Sequence, residues 1–141
     1  MDGDPYNLER FVEAQRGAFE QACAELRRGR KTGHWIWFIF PQIAGLGFSE
    51  MSQRYAIRSI EEARAYLAHP VLGPRLREVC GILNGIEGRT VYQIVGSPDD
   101  IKLRSSMTLF AKATKENGVF VEVIRKYFGG ELDDRTLELA F

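Results

Sequence analysis

The chain is short of the residues that usually announce chemistry. It has two cysteines and two histidines in 141 residues, and their spacing matches no metal-ligand pattern. Cys23 stands among Phe19, Ala22 and Leu26, and Cys80 among Leu76, Val79 and Leu83, so both are expected to be small buried hydrophobes. No metal and no cofactor is assigned. Charge of one sign is also missing, because 19 Lys and Arg balance 19 Asp and Glu. That leaves no overall field to gather nucleic acid or an anionic membrane, and nucleic acid is not expected as a main partner. No apolar run approaches the ~20 residues of a spanning helix, which excludes membrane insertion. The start, "MDGDPYNLERF", lacks the basic and apolar regions of a secretory signal, so a cytoplasmic protein is expected. Tracts rich in Ser, Pro or Gln are absent as well. What remains is the composition of an ordinary folded chain, expected to form a single domain over residues 1–141.

What the chain does have is a concentration of aromatic surface in "GHWIWFIFPQ", Gly33 to Gln42. Six consecutive apolar residues, Trp35 to Phe40, lie between a histidine and a proline. As a strand this run has no convincing partner, and a lone strand is not stable. A short helix, apolar all round and buried on every side, fits better. Truncating Trp37 to alanine is then expected to cost about 3 kcal/mol or more.

The rest of the chain reads as amphipathic helices. From Leu8 to Arg28, apolar residues recur on one stripe, with Gln15 and Arg16 marking a bend. "SIEEARAYLAHP" opens with Ser59 and Glu62 in capping-box spacing and closes at Pro70. A further helix follows from Pro70 to Ile86. "TVYQIVG" leans towards a short helix. "SPDDIKLRSSMTLFAKAT" carries Ser97 as N-cap, Pro98 at the first position and acidic Asp99 and Asp100 in the first turn. "GVFVEVIRKYFGG" fits a helix ended by Gly129 and Gly130, after which Asp133 can cap a last turn. The expected fold class is mainly α: one compact helical domain, built as an irregular bundle or a helical-repeat-like arrangement.

Candidate binding residues cluster on the Ser97 helix. Asp99, Lys102, Ser105 and Ser106 share a flank at helical spacing, with Arg104 in the same polar set. Small hydroxyl residues allow close helix packing or direct ligand contact, while a lysine neutralises a phosphate. The helix start is itself a candidate anion site, through free backbone donors and the positive dipole end. His34 and Gln42, flanking the aromatic run, complete the candidate set as an acid–base group and an amide reader. No serine, cysteine or carboxylate stands near His34 in a triad pattern. Gly45 and Gly47 lack the further glycine of a dinucleotide fingerprint, and no Walker lysine follows them. "RRGRK" (Arg27, Arg28, Arg30, Lys31) reads as a cationic helix end stopped by Gly29, or as a phosphate patch.

The blocks "DPYNLERFVEAQ", "HWIWFIFPQIAGLG", "AYLAHPVLGPRL", "GSPDDIKLRSSMTLFA" and "YFGGELDDRTLEL" together resemble a bacterial family of short proteins of unknown function whose members often carry the label calpastatin. The resemblance spans nearly the whole chain. It implies a mainly helical single domain, related in shape to helical repeats, with no established activity. A calpain inhibitor of that name is a long disordered chain, unlike this short aromatic one. "DDIKLRSSMTLF", followed by "GG" and "RTLEL", is also similar to the C-terminal half of bacterial glycosidases that remove ADP-ribose from nucleic-acid bases. The functional expectation is a ligand- or protein-binding domain, whose partner is an anionic small molecule or a protein. The alternative is an enzyme or sensor for a nucleotide-like, phosphate-bearing ligand, such as an ADP-ribosyl N-glycosidase.

Overall fold

The computed structural model describes residues 3–141. Among the described residues ten helices form: α1 (Glu9–Gln15), α2 (Ala18–Arg27), α3 (Ile36–Ile39), α4 (Glu50–Arg54), α5 (Ile60–Ala68), α6 (Leu72–Gly85), α7 (Val91–Val95), α8 (Asp99–Ala113), α9 (Gly118–Phe128) and α10 (Asp134–Ala140). Among the described residues no strand forms, and extended pairing is confined to a parallel bridge between Ile43 and Ile57. No helix among them is long and apolar enough to cross a membrane.

The longest helix, α8, is the axis of the fold. It packs against α3, α5, α7, α9 and α10, while α6 closes the other side against α2, α5 and α9. Its second half is buried almost all round: Met107, Leu109 and Phe110 are fully enclosed. A spine of rings crosses the core from Phe11 to Tyr66, Phe110 and Phe120, with centroids 5.1, 5.3 and 6.1 Å apart. Such spacings suit edge-on and tilted aromatic contacts, which add to area burial. The spine joins α1, α5, α8 and α9, so helices distant in sequence share one core.

Helix starts follow the local chemistry in most places. Ser59 caps α5 by accepting from Glu62 N, and Thr90 and Gln93 form a reciprocal capping box on α7. Gly129, in the left-handed region at φ 64°, ends α9. The expected bend after Gln15 is a break: Gly17 takes φ 73° between α1 and α2. The break leaves Gln15 buried, donating to Phe38 O at 2.8 Å and Tyr66 Oη at 3.1 Å. That polar insertion satisfies a core carbonyl, which explains an interruption in the apolar stripe. The α8 start departs from expectation. Pro98, not Ser97, stands at the cap, and no side chain caps it.

The aromatic run is the short helix α3 with its flanks. Trp35, Ile36, Phe38, Ile39 and Phe40 are buried, whereas Trp37 is only half-buried. Its front is held by Glu25, buried on α2. One carboxylate oxygen accepts from Thr32 N (2.8 Å), Gly33 N (2.8 Å) and Trp35 Nε1 (2.9 Å), and the other accepts from Gln21 Nε2. Burial works against this charge, but the donors of Gly33, Thr32, Gln21 and Trp35 outweigh it and hold the carboxyl down at about 2. A side chain at position 33 would meet Gln21 and Trp35 within 3 Å, so the close approach requires glycine there.

Candidate functional site

The back of the aromatic segment opens. After Pro41 the chain pairs with Ile57 through Gln42 O and Ala44 N, both at 2.8 Å. The following Gly45–Ser49 loop then turns towards α8 and α10. Between them lies a cleft of about 350 Å³, lined by Gln42, Ser52, Lys102, Ser105, Asp133 and Arg135, with Leu46 and the exposed Ile101 as apolar flanks. A second hollow of about 230 Å³ adjoins it, sharing Gln42, Gly47 and Ser52 and ending at Arg58. Concave space of this size, mainly apolar with a few convergent polar groups, is what a small ligand needs.

The fold brings Gln42, Lys102 and Ser105 together here. It places the other sequence-derived candidates elsewhere. His34 is exposed and does not line the cleft. Ser106 faces the core, fully enclosed, and its hydroxyl has no partner among the described residues. Arg104 lies across the C-terminal loop, donating to Glu131 O at 3.0 Å and Leu132 O at 2.8 Å, with the Glu131 carboxylate at 3.4 Å. Its work is to tie that loop to α8. Arg104, Ser105 and Ser106 diverge because adjacent positions on a helix point about 100° apart.

Lys102 is available because a second lysine answers its neighbour. Lys31 lies 2.7 Å from Asp99 and donates to Gly33 O at 2.6 Å, with only 8% of its side chain exposed. Lys102 is 3.7 Å from the other oxygen of Asp99 and sits over the Trp37 ring at 5.0 Å. Asp99 is thus neutralised mainly from the enclosed side, and Lys102 keeps an open face towards the cleft. Most of the free donors expected at the helix start are already taken. Asp100 N bonds Gly96 O, Lys102 N bonds Pro98 O, and Ile101 N bonds Asp100 Oδ1 at 2.8 Å. Any anion in the cleft is therefore met by side chains, not by the pole of α8.

On the opposite wall, Asp133 caps α10, its Oδ2 accepting from Thr136 N and Oγ1 and from Ser105 Oγ at 3.0 Å. Thr108 Oγ1 accepts from Asp133 N at 2.9 Å. Ser105 and Thr108, one turn apart on α8, therefore fix the position of α10 and with it Arg135. Asp133 was legible as a cap; its second role as cleft wall, like that of Ser52 and Arg135, follows from long-range docking that carries no local signal. Gln42 has no side-chain partner among the described residues, so its amide is open to the cleft. Among those residues no group of three or more His, Cys, Asp or Glu is placed to hold a metal.

Residues 5–140 match the family described as "Protein of unknown function (DUF1810)", and the chain belongs to that family. It is similar to a conserved hypothetical protein, Rv1873 from Mycobacterium tuberculosis, whose crystal structure was determined at 1.38 Å. The two share 54% sequence identity over 97% of this chain and 98% of that one, with a TM-score of 0.96. No curated protein matches the chain.

Proposed function

We propose that this member of the DUF1810 family binds a small phosphate-bearing ligand of nucleotide type in the cleft between α8, α10 and the Gly45–Ser49 loop. The observation that carries this reading is the convergence of Gln42, Lys102 and Arg135 from three separate segments on one concave site. Lys102 and Arg135 supply cations for a phosphate, Gln42 offers an amide to a base or ribose edge, and Leu46 and Ile101 flank the apolar part. Arg135 is shared with Glu138 at 3.3 Å in an exposed pair, which costs little to release.

Calorimetric titration of wild type, Lys102→Ala and Arg135→Ala with ADP-ribose, AMP and inorganic phosphate tests the reading. A charge-assisted contact is worth about 1.5–3 kcal/mol, so Lys102→Ala is expected to weaken nucleotide binding by about tenfold or more. Absence of binding by all three ligands, or equal binding by the variant, would sink it.

One observation favours a second reading, hydrolysis of an ADP-ribosyl N-glycosidic bond. Asp133 lines the cleft, and its Oδ1 accepts no hydrogen bond among the described residues, leaving a carboxylate oxygen open to act as a general base. Chromatographic release of ADP-ribose from an ADP-ribosylated nucleoside, lost in Asp133→Asn, is the expected result of that reading. A wild type that binds but releases nothing reduces the site to binding alone.

A further inference from the structure

Of the concave grooves outside the cleft, two adjoin one another and share none of its lining residues. One, of about 470 Å³, is bordered by Arg27, Arg28 and Arg89, with Glu87 among its walls. The other, of about 360 Å³, is bordered by Arg30, Lys31, Arg89 and Tyr92. Arg89 is common to both, so the two grooves meet at this side chain and together trace an arc. The chain's zero net charge averages over a surface that is uneven: four arginines gather along this arc. Arg28 and Arg30 are exposed and form no ion pair among the described residues. Arg27 meets Glu78 only at 3.7 Å between exposed side chains, and Glu87 is drawn to Lys126 at 3.3 Å.

Arg89 is built into place. Gly29 ends α2 in the left-handed region at φ 76°, and Arg89 is laid across it, donating from Nε to Gly29 O at 2.8 Å and from Nη2 to Gln93 O. A Cβ on residue 29 would stand 2.8 Å from Arg89 Cδ, so glycine there makes room for the arginine. The guanidinium is thereby held at the junction of the grooves, with no carboxylate paired to it among the described residues. Beside it, Tyr92 on α7 is 64% exposed. An aromatic ring left in water within a basic groove has no role in the core, since α7 buries Ile94 and Val95 instead.

We infer that the arc formed by Arg27, Arg28, Arg30 and Arg89 binds the backbone of a single-stranded nucleic acid, with Tyr92 stacking on a base. Spaced guanidiniums along a groove match a repeating phosphate, and a ring presented between them matches an unstacked base. A duplex keeps its bases stacked inside and offers Tyr92 nothing. An acidic peptide would satisfy the arginines but leave the ring without a partner.

Fluorescence anisotropy with a labelled single-stranded oligonucleotide of mixed sequence, its duplex, and heparin as competitor tests the proposal. The expected result is single-strand binding that weakens with salt, with a log–log slope of about −2 to −3 for three or four phosphate contacts. The doubly charge-reversed variant Arg28→Glu/Arg30→Glu, altering exposed residues, is expected to bind at least tenfold more weakly. Tyr92→Ala is expected to lose about fivefold or more, as base stacking on an aromatic residue requires. Circular dichroism of both variants checks that the helical fold is retained. No binding at about 100 µM protein, the weak end of non-specific association, overturns the proposal. So does equal affinity for duplex, or a folded Tyr92→Ala variant that binds as wild type does, because either result reduces the arc to a general polyanion patch.

Discussion

At its front the segment from Gly33 to Gln42 is sealed by Glu25, whose carboxylate takes up the donors of Thr32, Gly33, Trp35 and Gln21; at its back, Gln42 faces a cleft with its amide unpaired. Both ends are polar in sequence and flank the same apolar run. They differ in where their hydrogen bonds go. A buried polar group must find its partners inside the protein, and Glu25 does so at the front. At the back the Gly45–Ser49 loop swings away, and the partners are left to be supplied from outside. Polarity beside a core thus leaves an open cleft only where the fold does not complete its hydrogen bonds.

The sharpest way to break this comparison is at Trp35, which is 2% exposed, stacks near Phe40 and donates to Glu25. Trp35→Ala is expected to cost about 3–5 kcal/mol in chemical denaturation, as a large-to-small core change. The half-burial of Trp37 lowers what the sequence leads one to expect: Trp37→Ala should cost less than Trp35→Ala, below about 3 kcal/mol, because its Nε1 is also enclosed without a partner among the described residues. A larger loss at Trp37 than at Trp35 would place the sealed end of the aromatic run elsewhere.

Next in size is Glu25. Glu25→Gln keeps the shape but removes the charge, and is expected to cost about 1.5–3 kcal/mol at neutral pH, the range for hydrogen bonds to a charged group. The pH dependence gives an independent check. The Glu25 carboxyl sits at about 2 in the fold against an ordinary value of 4.5. A depressed value means that its contribution is complete above 4.5 and is lost as pH falls towards 2. Denaturation midpoints of wild type and Glu25→Gln should therefore converge on acidification through that window. A constant gap between them would show that the charge is not what seals the front.

A smaller loss is expected at Gly73, in the first turn of α6, where an added Cβ would stand 2.0 Å from Leu67 O on the end of α5. Gly73→Ala forces backbone apart and is expected to cost about 1–3 kcal/mol, read in the same denaturation experiment. At the open end the effect on stability is expected to vanish. Lys102→Ala and Gln42→Ala should each shift unfolding by no more than about 0.5 kcal/mol, as partly exposed substitutions do, while altering ligand titrations. Substantial destabilisation by either would make the back of the segment as structural as the front.

Much of this molecule is written in local pattern. The helical stripe of α2, the Ser59 cap, the Thr90–Gln93 box and the left-handed Gly129 depend on residues within a few positions of one another, so the mainly α fold and most element positions are readable from the chain. The α8 start shows the limit. Ser97, Pro98 and two aspartates look like a capped, anion-ready terminus, yet the carbonyls of Gly96 and Pro98 occupy its donors, and Lys31, from a distant segment, takes Asp99. Likewise, Lys102, Arg104, Ser105 and Ser106 are neighbours in sequence. Whether each meets the cleft, the C-terminal loop or the core depends on how α8 is rotated against α3, α9 and α10. Local propensity reaches only the next turn, whereas a binding site is made where segments dozens of residues apart fail to fill the space between them. The sequence alone determined that this chain folds into helices and that its aromatic run is a mostly buried short helix. Which polar residues beside that run are enclosed and which face an open cleft was decided by tertiary packing, because only packing determines which hydrogen bonds the protein completes for itself.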